Sequence, residues 1–162
     1  MNLASEVTLR RFSGEDLEKV MEINRACLPE NYSPHFFLDV YKNCPDAFLV
    51  AEVQGKVVGY VMCRLETGLS DLGRMGLIRK GHIVSIAVMQ DYRRRGIASA
   101  LMLSAISALA SNGSTENFVE VRVTNEQAMS LYKKLGFRIV RRIPRYYYDG
   151  VDAYAMTAPT SK

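Results

Sequence analysis

Arg93, Gly96 and Ala98 set an R-x-x-G-x-A pattern inside the run Arg93-Arg94-Arg95-Gly96-Ile97-Ala98. Such a pattern acquires a chemical use at the mouth of a helix. The first helical turn carries backbone N–H groups without intrahelical partners, and the helix dipole adds positive potential there. Together they make a site for a diphosphate. Gly96 lets the backbone come close to phosphate oxygens, and Ala98 keeps the next contact small. The three arginines add charge to the approach. Taken alone, such a run is more often just a solvated turn, so its surroundings must decide.

Those surroundings are a strand, a turn and a helix. His82-Ile83-Val84-Ser85-Ile86-Ala87-Val88 is apolar almost throughout, the pattern of a strand buried on both faces. Residues 96 to about 111 read as a helix, with Ile97, Leu101, Ala105, Ala108 and Leu109 on its apolar stripe. Upstream, Glu6 to Phe12 alternates as an opening strand, and Ser13 with Asp16 resembles a capping box. The helix that follows places Leu17, Val20, Met21, Asn24 and Leu28 near one face and ends before Pro29. Pro34 begins a short second helix. Strands over Ala47 to Val53 and Lys56 to Glu66 meet at Gln54-Gly55, a hairpin signal. Thr67 to Gly81 contains Gly68, Gly73, Gly76 and Gly81 and reads as a mobile connection.

Downstream, Phe118 to Val123 is β-rich. Asn125 caps a helix through Ala128, Leu131, Tyr132 and Leu135, and Gly136 stops it. Phe137 to Ile143 and Val151 to Met156 read as the last two strands. The order is that of an α/β sandwich on a mixed sheet, not a regular βαβ repeat. No repeat or linker divides the chain, so residues 1–162 read as one domain.

Composition narrows the class without naming it. A hydrophobic share of 48% and a charged share of 23% belong to an ordinary globular protein. No run of about eighteen apolar residues calls for a membrane span. Met1 to Phe12 lacks a secretory apolar stretch, which leads to the expectation of a cytoplasmic protein with no membrane partner. Cys27, Cys44 and Cys63 have neither C-x-x-C spacing nor a pairing pattern, so they read as small apolar residues and no metal is expected. The net charge of +4 suits an anionic ligand but does not select one.

The segment His82 to Leu103 resembles the central motif of GNAT acetyltransferases, Q/R-x-x-G-x-G/A, including the strand ending Ile86-Ala87-Val88. Asn125-Glu126-Gln127-Ala128-Met129-Ser130-Leu131-Tyr132-Lys133-Lys134-Leu135-Gly136-Phe137 is similar to that family's second motif, N-x-x-A-x-x-L-Y-x-x-x-G-F. The resemblance covers nearly the whole chain. It implies a GNAT fold: a mixed, mostly antiparallel central sheet, helices on both faces, and a splayed central strand pair. It also implies that acetyl-CoA is held by Ile86, Ala87 and Val88, by Arg93 to Ala98, and by Asn125 and Tyr132.

Three further segments resemble the Ard-type protein N-terminal α-acetyltransferases: Leu28-Pro29-Glu30-Asn31-Tyr32, Arg79 to Val88 with its His82, and Tyr146 to Met156. In that family the first and last of these flank a peptide N-terminus. Tyr32 and Tyr147 would then contact the substrate, with Tyr146 a neighbour. Tyr148 departs from the pattern, because an alanine is common there, and this leaves the first-residue preference of the substrate open.

The resemblance implies direct transfer in a ternary complex, with Glu30 and His82 as candidate bases. An unperturbed histidine titrates near 6.5, in range to accept an amine proton. Glu120, on the neighbouring strand, could face His82 as a proton relay or a metal contact, though two ligands are too few for zinc. Structural roles compete: Glu30 could order the substrate loop, and His82 could begin a strand. The backbone N–H of Val88 would polarise the thioester, and Tyr132 would protonate the leaving thiolate. Acetylation of lysines or small amines is the rival activity. A non-catalytic, ribosome-associated cofactor binder is the rival of another class. Association with a ribosome or an auxiliary subunit is a possible partnership; no specific nucleic acid is expected, since no RNA-reading motif occurs.

Overall fold

The computed structural model describes residues 6–160; the N-terminal reading above extends into residues 1–5, outside this range. Seven strands form one sheet: β1 (Val7–Arg11), β2 (Phe48–Val53), β3 (Lys56–Leu69), β4 (Leu77–Val88), β5 (Glu116–Arg122), β6 (Arg138–Ile143) and β7 (Ala153–Pro159). Their spatial order is β1-β2-β3-β4-β5-β7-β6. Every neighbouring pair is antiparallel except β4 and β5, which run parallel. The helices are α1 (Leu17–Cys27), α2 (Pro34–Asn43), α3 (Ile97–Ser111) and α4 (Glu126–Lys134). The chain therefore has the mixed α/β sandwich that its pattern implied.

Two cores follow from the period-2 alternation of the strands. In β2, Phe48 and Val50 join Val20, Ile23, Phe37 and Val40 beneath α1 and α2. Leu49 and Ala51 point the other way, joining Leu101, Ala105 and Leu109 of α3 and Tyr132 of α4. A central strand buried on both faces thus holds a helical layer on each side.

The parallel pairing of β4 and β5 covers only Lys80, Gly81 and His82 against Glu116, Asn117 and Phe118. Beyond His82 the two strands part. One cause is visible in the register of β3 and β4. Met62 faces Ser85 and Cys63 faces Ile83, so Val84 is an extra residue, and such a bulge bends its strand. The splayed pair expected from the family resemblance is present.

Two expectations are corrected. Thr67 to Gly81 is not a mobile connection: Thr67–Leu69 extends β3, Leu77–Gly81 begins β4, and only the tip is loop. Gly81 lies inside β4, and a glycine is required there because a Cβ would collide with Asn117 Oδ1 and lie 2.8 Å from Leu109 Cδ1. Consequently His82 sits in mid-strand. The stretch 83–88 is also not buried throughout, since Val84 and Ile86 border the gap left by β5.

Candidate active site

The gap between β4 and β5 opens into a groove of about 640 Å³. One end is walled by Ile83 to Val88, by the turn around Arg93, Arg94 and Gly96, and by Asn125 and Tyr132. The other end is walled by Leu28 to Glu30, Tyr32, Glu120, Arg122, Tyr146 and Tyr147. Segments far apart in the chain thus face one another across a single cleft.

Gly96 caps α3 in the left-handed region at φ +79°, where a side chain would be strained. No atom lies within 4 Å of where its Cβ would be, so the space over the turn is open. The first turn of α3 contains no acidic residue to compete for its N–H groups. An anion with several oxygens fits this mouth. The arginines contribute less than their number implied. Arg93 turns back to donate from Nε to the Val88 carbonyl at 2.8 Å. Arg95 lies over the Tyr92 ring, 5.0 Å from its centroid, and is not part of the groove wall. Ile97 packs its side chain into the core, leaving its backbone to the mouth. Ala98 lines the groove as a small residue.

Asn125 accepts from the Ala128 N–H at 3.1 Å and so starts α4, as its sequence position implied. Tyr132 on that helix is buried, and burial pushes its phenol up to about 12. It is therefore a neutral O–H donor at physiological pH.

His82 is held on both sides. Nδ1 lies 2.8 Å from Glu66 Oε2, and Nε2 lies 2.8 Å from Glu120 Oε1. Its ring stacks on Phe118 with centroids 4.3 Å apart. Burial opposes a charge on this ring, but the hydrogen bonds and charges of Glu120 and Glu66 outweigh it and raise the pKa. The Glu66 carboxyl is lowered to about 2, mainly by its bond to His82. An imidazolium donating to two carboxylates satisfies every polar atom; a neutral ring could donate to only one. The ring anticipated as a histidine base is held between two carboxylates that favour its charged form. Glu66 carried no motif, and only the pairing of Arg64 with His82 across β3 and β4 brings it near.

Glu30 is also engaged. Arg122 donates from Nε to Glu30 Oε2 at 3.0 Å and from Nη1 to Asp149 Oδ2 at 2.9 Å. The same guanidinium lies 4.3 Å from the centroid of Tyr147. Arg122 therefore ties the loop after α1 to the loop between β6 and β7. The sequence reading missed it; its position at the end of β5, beside the splay, was the available signal. Tyr32 stacks on Phe36 at 4.7 Å, and Tyr146 meets Tyr147 edge-on at 4.9 Å. Burial, and then nearby carboxylates, raise the phenols of Tyr32, Tyr146 and Tyr147, so all three remain protonated. Tyr148 points into solvent.

Comparison with known proteins matches residues 17–137 to the acetyltransferase (GNAT) family. The chain belongs to that family. Among its members, the N-alpha-acetyltransferase of Sulfurisphaera tokodaii is 47% identical, covering 95% of this chain and 93% of that protein. The fold of this GNAT chain also matches solved structures. Ard1 from Thermoplasma volcanium superposes with a TM-score of 0.85 at 32% identity, covering 97% of this chain and 99% of that one. Naa20 of Chaetomium thermophilum, solved with a bisubstrate analogue, gives 0.83 at 34% identity over 94% and 86% of the two chains.

Proposed function

We infer that this chain transfers the acetyl group of acetyl-CoA to the N-terminal α-amine of proteins and peptides, in one ternary complex. The observation that carries the reading is the two-ended groove. A diphosphate mouth and an open strand edge lie at one end, and the Glu30, Tyr32 and Tyr147 loops lie at the other.

Bound acetyl-CoA supplies the activated thioester carbon. The chain's own groups do the rest. The N–H groups at the start of α3 hold phosphate oxygens, and the open edge at Ile86, Ala87 and Val88 pairs with amide groups of the pantetheine arm. The Val88 N–H donates to the thioester oxygen as charge develops there. Tyr32 and Tyr147, kept protonated, donate to the peptide backbone.

An α-amine titrates near 7.7–8.0 against about 10.4 for lysine, so at pH 7 roughly a tenth is already neutral. Modest help suffices. Glu120 lines the groove and receives the proton directly or through water. Behind it, His82 bridges Glu120 to Glu66, and Arg64 Nε lies 2.9 Å from Glu66 Oε2, so the far carboxylate has its own cation and His82 is left to hold Glu120 in place for that proton. Glu30 acts with Arg122 to hold the peptide loop. Tyr132 gives its proton to the leaving thiolate.

Residues 1–162 carry this activity as one domain. We place it in the cytoplasm, where polypeptide N-termini emerge; no helix among the described residues is long and apolar enough to cross a membrane. An auxiliary subunit or the ribosome is the expected docking partner, tested by cosedimentation. The activity itself is tested by mass spectrometry of lysine-containing peptides incubated with acetyl-CoA. Acetylation of the α-amine is expected, and modification confined to lysine side chains overturns the reading.

A further inference from the structure

Below the peptide end of the groove, three polar side chains meet inside the apolar core under α1 and α2. Tyr60 of β3 is fully buried, Asn24 of α1 is 1% exposed and Ser85 of β4 is 6% exposed. The Tyr60 and Ser85 hydroxyl oxygens lie 2.7 Å apart, and Asn24 Nδ2 donates to the Tyr60 oxygen at 3.1 Å. Asn24 and Tyr60 lie outside the groove wall and the proton chain, and Ser85 alone of the three belongs to the Ile83–Val88 wall. A phenylalanine at position 60 would fill the same space without a polar atom to satisfy, so the hydroxyl calls for an explanation.

The bonds of Asn24 supply one. Its second amide proton goes to the Glu30 carbonyl at 3.0 Å. Its Oδ1 accepts from the Tyr32 N–H and from Asn31 Nδ2, each at 3.4 Å. An amide offers two donors and one oxygen with two lone pairs. Three of those four positions serve residues 30 to 32, and the fourth reaches Tyr60. The direction beyond is fixed by burial. Asn24 Nδ2 can only donate, so the Tyr60 oxygen accepts there. The Tyr60 proton, enclosed by apolar neighbours, has Ser85 as its partner. Ser85 in turn lines the groove.

We propose that Asn24, Tyr60 and Ser85 form a buried strut that sets the height and direction of the Glu30–Tyr32 loop relative to β4. Tyr60 and Asn24 are then positioning residues for the peptide, acting through Glu30 and Tyr32 without touching substrate. Neither Tyr60 nor Asn24 lines the groove, and only Ser85 borders the β4 wall that faces acetyl-CoA. Loss of the Tyr60 or Asn24 contacts therefore bears on peptide binding and leaves the acetyl-CoA wall in place.

This assignment rests on the reading of Glu30 and Tyr32 as peptide-loop residues, and its test separates the two. Tyr60→Phe removes one oxygen and keeps the packing, so the variant folds. Losing a net hydrogen bond should raise the KM for peptide about fivefold while the KM for acetyl-CoA moves less than about twofold. Ser85→Thr, which keeps the hydroxyl, should hold the wild-type peptide KM closer than Ser85→Ala. Hydrogen exchange of the backbone amides at residues 30 to 32 should accelerate in Tyr60→Phe and Asn24→Ala. An unchanged peptide KM with unchanged exchange at 30 to 32 overturns the strut, as does an equal rise in both KM values. Accelerated exchange in an enzyme that acetylates only lysine side chains upholds the strut and removes the peptide reading.

Discussion

The guanidinium of Arg122 grips the carboxylate of Glu30 across 92 positions of sequence, with Nε 3.0 Å from Oε2. The Arg122 side chain is 14% exposed and that of Glu30 26%, so the pair is only partly screened by solvent. Asp149 and Tyr147 share the same guanidinium. Removing Arg122 leaves Glu30 without its partner and releases both loops together. Arg122→Gln should lower kcat/KM for peptide about tenfold or more, with the KM for acetyl-CoA nearly unchanged. Arg122→Lys should recover little, because one ammonium cannot reproduce the forked contact. Steady-state kinetics with each substrate varied in turn checks both statements; parallel loss of acetyl-CoA affinity would contradict them.

Tyr132 carries a different expectation. Its phenol, pushed up to about 12 by burial, stays protonated throughout the working range. Tyr132→Phe should lower kcat by about a hundredfold, the scale of one positioned general acid, with little change in the KM for acetyl-CoA. Single-turnover acetyl transfer measures this directly. A kcat equal to wild type would remove Tyr132 from the proton path.

The Glu66–His82–Glu120 chain predicts a pH profile for stability. The His82 pKa is raised in the folded protein, so its contribution is complete below about 6.5 and fades as pH climbs through the folded value. Glu66 is lowered to about 2, so its contribution is present above its unfolded value and fades as pH falls towards 2. The chain should therefore stabilise most between about pH 4.5 and 6.5. The gap in Tm between wild type and His82→Gln should be largest in that window and narrow on either side. Thermal melts from pH 3 to pH 9 test it, and a gap independent of pH would show that His82 is not charged.

Gly96 predicts a split by substrate. An alanine there occupies a left-handed position at φ +79° and projects its methyl into the open mouth of α3. Strain of about 1–2 kcal/mol is expected from the backbone alone. The methyl also displaces phosphate oxygens. Gly96→Ala should raise the KM for acetyl-CoA about tenfold or more while the KM for peptide stays close to wild type. Calorimetric titration with CoA provides a second reading of the same loss.

Local signals were legible wherever a few consecutive residues set the geometry. Ser13 and Asp16 form the capping box that their spacing implied, and Asn125 caps α4. Gly96 and Gly136 both adopt positive φ at the helix ends where their positions placed them. The glycines of the β3–β4 hairpin misled for the opposite reason. Gly81 is fixed by Leu109 and Asn117, residues of other elements, and no local pattern reports such a close approach.

Local sequence is enough to specify the strand–turn–helix, whose open N-terminal mouth suits a diphosphate, and the motifs that mark an acetyltransferase. These depend on backbone dihedrals and capping, which act over three or four residues. Tertiary packing puts His82 between two carboxylates that raise its pKa, turns Arg93 to the Val88 carbonyl, and joins the loop after α1 to the loop between β6 and β7 through Arg122. Charge state and ion pairing depend on what lies within a few ångströms, and here those neighbours come from strands and loops remote in sequence.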